Sequence, residues 1–339
     1  MYLKLLEENQ EEIINQYGKP FYVYLSLSNL CNANCVFCDV RENVEKECSI
    51  DVTKLIDQLA DLDTKYIQFT GGGEPFINND IIKYMDYCTK KGINIVFISN
   101  GYNLNEEIIK EISKYRIKAV FFSIDSHDKD IHDGLRRLPG LWTKVTNNIN
   151  LIKEYMPDVK ITINHVLNKD NIDDFDKFMK LKEVYDFDYI NPLVIKDCEE
   201  LFFSSQQIED YNQRLSEYYS LAKELGIEFL CDDIDFFKKD VSQYGDRERN
   251  SDLRCVFPSY CAFVDGPTGF VYPCDCSIHR DRNIYKIGEL KNETMEEIWN
   301  GEKRKVLTKK LLNSELDCKT KCDEANCQFN YNYFKNKGE

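Results

Sequence analysis

The sequence has no apolar run approaching the ~20 residues that span a bilayer. It also lacks the pattern of a signal peptide. Met1 is followed by Tyr2, Leu3 and Lys4, then by Glu7, Glu8 and Glu11, with no long apolar stretch among them. Neither a membrane span nor secretion is expected, and the chain reads as cytoplasmic. Positive charge is in deficit: 44 Lys and Arg stand against 59 Asp and Glu, a net charge of -15. That balance is the reverse of the basic footprint that phosphate backbones select, so no nucleic-acid partner is expected. Internal repeats and low-complexity tracts are absent too. What remains is a 339-residue chain with 42% hydrophobic and 13% aromatic residues, a globular composition with room for a sizeable core.

Fourteen cysteines are the conspicuous presence. In a reducing compartment they are not expected to form a disulfide set; they read as metal or cluster ligands with a few buried thiols. Their distribution agrees. Three crowd into Cys31 to Cys38, seven lie from Cys255 to Cys327, and only Cys48, Cys88, Cys198 and Cys231 are scattered.

From Phe21 to about Pro192 the chain alternates strand-like and helix-like segments. The strand candidates are Phe21–Leu27, Tyr66–Thr70, Ile93–Ser99, Ala119–Ile124, Ile161–Val166 and Phe187–Leu193. Between them lie segments of helical period, such as Val52, Leu55, Ile56 and Leu59, for which Ser49 is the expected cap. Near-continuous apolar strands alternating with amphipathic helices predict an α/β fold with a parallel sheet, and six such units predict a partial (β/α)6 TIM-like barrel. Chemistry in such barrels sits at the C-terminal strand ends. The cysteine triad, Gly71-Gly72-Gly73, Asn100 and Asp125 follow the first four strands in turn. Ser204-x-x-Gln207 predicts a capping box opening a helix that runs to about Gly226. The expected organisation is an N-terminal extension (1–20), a core (21–230), a charge-rich linker (231–252) and a small cysteine-rich domain (253–339).

Cys31-x3-Cys35-x2-Cys38 puts three thiolates on one short loop, and no fourth cysteine follows at short spacing. A cubane cluster bound by three cysteines keeps one iron open for a small chelating ligand. The alternative is a zinc knuckle, which the x3-then-x2 spacing fits poorly.

This motif, with Phe37 before the last cysteine, resembles the signature of radical S-adenosylmethionine (SAM) enzymes. Gly72-Gly73-Glu74-Pro75 resembles the GGEP motif of that family, Ser123-x-Asp125 its S-x-D segment, and His132-Asp133-x2-Arg136 with Gly140 its HDxxRGxxG stretch. The resemblance covers about Phe21 to Leu193. It implies a [4Fe–4S] cluster on Cys31, Cys35 and Cys38 that reduces SAM to methionine and a 5′-deoxyadenosyl radical. It implies that Gly72, Gly73 and Glu74 meet the amino group of SAM. Ser123 and Arg136 would meet its carboxylate, with Asn100 and Asp125 in the same site. Arg137 stands where the family usually has glycine, so either arginine is open for the carboxylate role. Val166 to Asn171 resembles the segment that flanks the adenine. A small reductant protein of flavodoxin or ferredoxin type is the implied partner.

Downstream, Cys255-x13-Gly269-x4-Cys274 and then Cys318-x3-Cys322-x4-Cys327 resemble a SPASM domain, which carries auxiliary [4Fe–4S] clusters. The second half departs from the usual spacing. One auxiliary cluster is therefore expected, drawn from Cys255, Cys274, Cys318, Cys322 and Cys327, with Cys276 as a further candidate. Structural zinc on the same thiolates is the alternative. Cys261 carries two readings, a buried apolar thiol or a hydrogen donor to a substrate radical.

Relatives with such a domain act on peptides and proteins or on small molecules such as sugars. The expectation is a peptide or protein substrate, modified by oxidation, crosslinking or epimerisation. A dehydrogenase or epimerase of a sugar or other small molecule is the alternative, and a non-catalytic iron–sulfur or zinc module the second. About twenty residues precede the first strand, too few for an independent leader-binding domain.

Overall fold

The computed structural model describes residues 18–38, 46–195, 198–230, 234, 255–274, 277, 282–313 and 315. Strands and helices alternate as expected: β1 (Tyr22–Ser26), α1 (Val52–Asp61), β2 (Tyr66–Thr70), α2 (Ile81–Lys90), β3 (Asn94–Ser99), α3 (Glu106–Ile112) and β4 (Ile117–Ser123) come first. Then follow α4 (Lys129–Arg136), α5 (Leu141–Tyr155), β5 (Lys160–Leu167), α6 (Phe175–Met179), β6 (Tyr189–Val194), α7 (Ser205–Gln213), α8 (Leu215–Leu225) and β7 (Glu228–Phe229). The C-terminal region adds β8 (Cys261–Asp265), β9 (Phe270–Tyr272), α9 (Arg282–Tyr285), β10 (Gly288–Glu289), α10 (Met295–Asn300) and α11 (Glu302–Leu312). Among the described residues, no helix is long and apolar enough to cross a membrane.

The chain forms two compact units. The first comprises Cys31–Glu42 and Ile98–Arg247, the second Tyr2–Leu30, Asn43–Phe97 and Glu248–Glu339. In the first unit, β4, β5, β6 and β7 are neighbours in that order, all parallel. Their register aligns Ser123 with Asn164 and Asn164 with Asn191. The β5 side chains alternate. His165 is fully buried and stacks on Phe178 of α6, ring centroids 3.8 Å apart, whereas Asn164 and Val166 on the opposite face are half-buried.

In the second unit the order is β10, β9, β8, β1, β2, β3. β8 lies parallel to β1, Cys261 opposite Tyr22 and Asp265 opposite Ser26. The β8–β9 hairpin turns through Asp265 to Phe270, with Thr268 Oγ1 donating to Asp265 Oδ2 at 2.6 Å. Buried Trp299 ties α10 to the N-terminal segment by donating to the Gly18 carbonyl.

Two local expectations are corrected. The cap of α1 is Asp51, whose carboxylate accepts from the Lys54 N–H at 3.0 Å. Ser49 instead serves a tertiary contact, its hydroxyl donating to the Gly266 carbonyl at 3.2 Å. The capping box at Ser204 and Gln207 is present. The helix it opens is not continuous to Gly226, however. It breaks at Arg214, which ends α7, begins α8 and is held by Asp176 at 2.7 Å.

Candidate functional site

The cluster loop follows from its surroundings in the first unit. Its backbone is fastened to the C-terminal end of α4: Asn34 N–H donates to the Arg136 carbonyl at 3.1 Å and Val36 N–H to the Leu135 carbonyl at 2.9 Å. Those last-turn carbonyls have no partners within the helix, so a neighbouring loop satisfies them. The Cys198 thiol adds a contact to the Val36 carbonyl at 3.8 Å. Cys31 and Cys35 are half-buried, Cys38 is exposed, and none is in a disulfide.

Around the loop stand three of the residues singled out in the sequence. Arg136, buried, donates from Nε to Asp125 Oδ2 at 2.7 Å and lies with Nη1 3.9 Å from Cys35 Sγ. The Phe37 ring lies against its guanidinium, 5.4 Å from Cζ to the ring centroid. Asn100, at the end of β3, has Nδ2 4.0 Å from Cys31 Sγ and donates to Asn32 Oδ1 at 2.8 Å. Burial pushes the Cys35 thiol up, and the Arg136 charge pulls it back only in part.

Asp125 is wholly buried. Burial disfavours its charge, but Arg136, His132 and the Val166 N–H outweigh that and hold it below the usual carboxylate range. Its own N–H donates to His132 Nδ1 at 3.1 Å, which puts the neutral proton of His132 on Nε2. His165 bonds the Ile124 carbonyl through Nδ1 at 3.1 Å and so carries its proton there. Burial lowers both imidazoles to about 4. Asn171 donates to the carbonyls of Asp125 at 2.7 Å and Val166 at 2.8 Å, and thereby ties the end of β5 to the Asp125 turn.

The two arginines left open by sequence separate clearly. Arg137 is exposed and adopts φ 47, a left-handed conformation that closes α4. Glycine is favoured at such a position, which explains why that residue suits it elsewhere. Arg136 is the one aimed at the loop.

Across β5 and β6, Asn191 Nδ2 donates to Asn164 Oδ1 at 2.9 Å. The Asn164 amide hydrogens and Asn191 Oδ1 have no other hydrogen bond among the described residues. Exposure on this face rises along β6 from Tyr189 at 6% through half-buried Asn191 to Leu193 at 37%. Sequence reading passed over this pair, since neither asparagine belongs to a motif; their alternation with buried residues was the available signal.

In the second unit, Gly73 packs where a Cβ would stand 2.0 Å from the Leu30 carbonyl oxygen. Its N–H donates to the Ser28 carbonyl, and that of Glu74 to the Leu30 carbonyl, each at 2.9 Å. Gly71 has φ 144, and a Cβ added there would stand 2.3 Å from Ser26 Oγ. These two glycines are thus required by close approach to residues 26–30. Gly72 N–H faces Ser26 Oγ at 3.4 Å, and Glu74 is buried, capping the turn at Phe76 N–H with its carboxylate at 3.2 Å. Cys255 and Cys274 are buried. Cys261 is fully buried at the N-terminal end of β8, which supports the apolar-thiol reading. Cys231, Cys276, Cys318, Cys322 and Cys327 lie outside the described residues.

No group of three His, Cys, Asp or Glu among the described residues converges on one metal ion. A cubane asks for something different, one thiolate per iron at separate corners. Three thiols on one eight-residue loop, outside any disulfide and with N–H donors beside two of them, suit that group.

The comparisons agree. The radical SAM superfamily model matches residues 25–181, and the model of an iron–sulfur cluster-binding domain, SPASM, matches residues 255–328. An AdoMet-dependent heme synthase of Methanosarcina barkeri is 25% identical over 325 residues, 89% of this chain and 87% of that protein. A cysteine-type anaerobic sulfatase-maturating enzyme of Clostridium novyi is 24% identical over 88% of this chain and 83% of that one. A solved structure, anSMEcpe with bound AdoMet and a Cp18Cys peptide, shares the fold with a TM-score of 0.63 at 19% identity, covering 91% of this chain and 88% of that one. The chain belongs to the radical SAM enzymes. Within them it is of the SPASM-bearing kind, so its cofactors are a [4Fe–4S] cluster, SAM and auxiliary iron–sulfur chemistry.

Proposed function

We propose that the protein modifies a peptide or protein by radical chemistry, through oxidation, crosslinking or epimerisation of a residue. The observation that carries this reading is the Asn164–Asn191 pair. Among the described residues it leaves an amide donor and a carbonyl acceptor unused, side by side on a half-buried stretch of the sheet. A peptide bond presents the complementary acceptor and donor. Half-buried Val166 and exposed Leu193 would line an apolar rim for side chains. The peptide named with anSMEcpe and the maturase among the relatives support the same class.

Bound at the site, the cluster and SAM together supply a 5′-deoxyadenosyl radical able to take a hydrogen atom from an unactivated carbon. The protein's part is to hold and orient. Cys31, Cys35 and Cys38 would hold the core cluster. Gly72, Gly73 and Glu74 would meet the SAM amino group, and Ser123 and Arg136 its carboxylate. Arg136 keeps Nη2 without a partner among the described residues, which leaves one nitrogen for a single contact to a carboxylate oxygen. Asn100 and Asp125 would complete that site. Residues 21–230 would form the catalytic core and 253–339 the auxiliary domain, with one auxiliary cluster on four of Cys255, Cys274, Cys318, Cys322 and Cys327. A flavodoxin or ferredoxin-type protein would reduce the enzyme in the cytoplasm.

The heme synthase relative favours a second reading, an iron porphyrin substrate. Such a ligand is anionic, and the Asn164–Asn191 face offers it neutral carboxamides rather than cations. A sugar substrate is the remaining small-molecule alternative. Anaerobically reconstituted enzyme, given SAM and dithionite, distinguishes them. Formation of 5′-deoxyadenosine above background should rise with a peptide fraction and lose that rise after protease digestion. Stimulation only by nucleotide-sugar or porphyrin fractions would defeat the peptide reading.

A further inference from the structure

The geometry points to Arg136 and Asn100 as positioning residues for the core cluster: their N–H groups donate to the thiolates of Cys35 and Cys31 and raise its reduction potential. This rests on the cluster-binding role of the cysteine loop and is independent of the substrate.

Three observations carry it. Arg136 Nη1 lies 3.9 Å from Cys35 Sγ and Asn100 Nδ2 4.0 Å from Cys31 Sγ, within reach of a large, charged thiolate acceptor. Both donors are locked. Arg136 is held by Asp125 at 2.7 Å and by the Phe37 ring. Asn100 accepts the Tyr102 N–H at 2.9 Å while donating to Asn32. The third thiol differs: Cys38 is exposed and has no side-chain donor among the described residues.

Hydrogen bonds to the ligating sulfurs and solvent exposure both set the potential of an iron–sulfur cluster. A donated N–H stabilises negative charge on sulfur, and the electron that reduces the cluster adds such charge. Removing the donor therefore moves the potential down. Because Asp125 neutralises Arg136 as a pair, the effect acts through contact rather than at long range. A lysine, which keeps the charge but lacks the planar fork, would not replace it. The donors are also uneven, standing beside two of the three thiols that would hold the cluster, while Cys38 is exposed.

The test uses full-length, anaerobically reconstituted enzyme. Pulsed EPR on protein labelled with nitrogen-15 arginine should show label coupled to the reduced cluster whose signal responds to SAM. That coupling should vanish in Arg136→Lys. EPR-monitored redox titration should place the same cluster at a more negative potential in Arg136→Lys and in Asn100→Ala than in the unmodified protein, with equal iron content. Absence of arginine coupling in the unmodified enzyme overturns the proposal, and needs no variant to fold. So does an unchanged potential in both variants with the cluster intact.

Discussion

Arg136 Nε and Asp125 Oδ2 form a 2.7 Å ion pair in which the carboxylate is fully enclosed and the guanidinium side chain is 10% exposed. Removing one member of such a buried pair strands the other charge at a cost of about 3–5 kcal/mol. Asp125→Asn, almost isosteric, should lower the stability of the cluster-free protein by that amount in urea unfolding. Adding Arg136→Met should restore part of the loss, since the stranded charge goes with it. A loss below about 1 kcal/mol in the single variant would mean that water reaches the pair.

His132 and His165 predict an acid weakness. Both have folded values near 4, below the ordinary 6.5, so each stays neutral in the fold and gains a proton more readily when unfolded. Their stabilisation is therefore complete above the unfolded value and is lost as pH falls from about 6.5 toward 4. At pH 5.5 the loss is roughly 1–1.5 kcal/mol for each. Urea unfolding at pH 7.5 and 5.5 should differ by about 2–3 kcal/mol, and His165→Phe should shrink that difference.

Two glycines should respond with opposite sign. Gly73→Ala would force a Cβ to 2.0 Å from the Leu30 carbonyl oxygen, where backbone has to move. We expect a loss of about 3 kcal/mol or more. Gly134, exposed within α4, has no neighbouring atom within 4 Å of where an added methyl group would sit, and Gly134→Ala should gain about 0.5–1 kcal/mol. Thermal unfolding of the two variants side by side checks both.

If the Asn164–Asn191 pair receives the substrate backbone, Asn164→Ala should raise KM for a peptide substrate about tenfold, the effect of one lost hydrogen bond of about 1.4 kcal/mol. kcat should change less than KM. A variant with unaltered KM would remove the pair from substrate recognition.

The cysteines divide by expected iron content. Cys31→Ala, Cys35→Ala or Cys38→Ala should abolish SAM cleavage and the cluster signal that responds to SAM. Alanine placed in turn at Cys255, Cys274, Cys318, Cys322 and Cys327 should instead remove the auxiliary cluster's iron in four of the five variants. Cys261→Ala should keep full iron content and leave the source of the hydrogen returned to product unchanged; an altered source, traced by deuterium, would restore the donor reading.

Local order was readable because it is written in local signals. The alternation of β1 to β6 with helices follows from apolar periodicity, the box at Ser204 and Gln207 from a four-residue pattern, and the cysteine loop from spacing on one stretch of chain. Errors came where a tertiary partner outbid a local one. Ser49 could cap α1, but its hydroxyl serves Gly266 and Asp51 caps instead. The helical pattern runs through Arg214, yet Asp176 holds that residue at a break.

By itself, then, the sequence determined the thiolate loop, the α/β alternation and the family these imply, since each depends on residues close in the chain. Only the tertiary structure decided that Arg136 rather than Arg137 approaches Cys35, that Gly73 is needed for backbone packing against Leu30, and that β8 lies beside β1. The same holds for the Asn164–Asn191 pair. These are contacts between distant segments. Their partners are selected by packing and by the satisfaction of buried polar groups across the whole fold, and no local pattern records that selection.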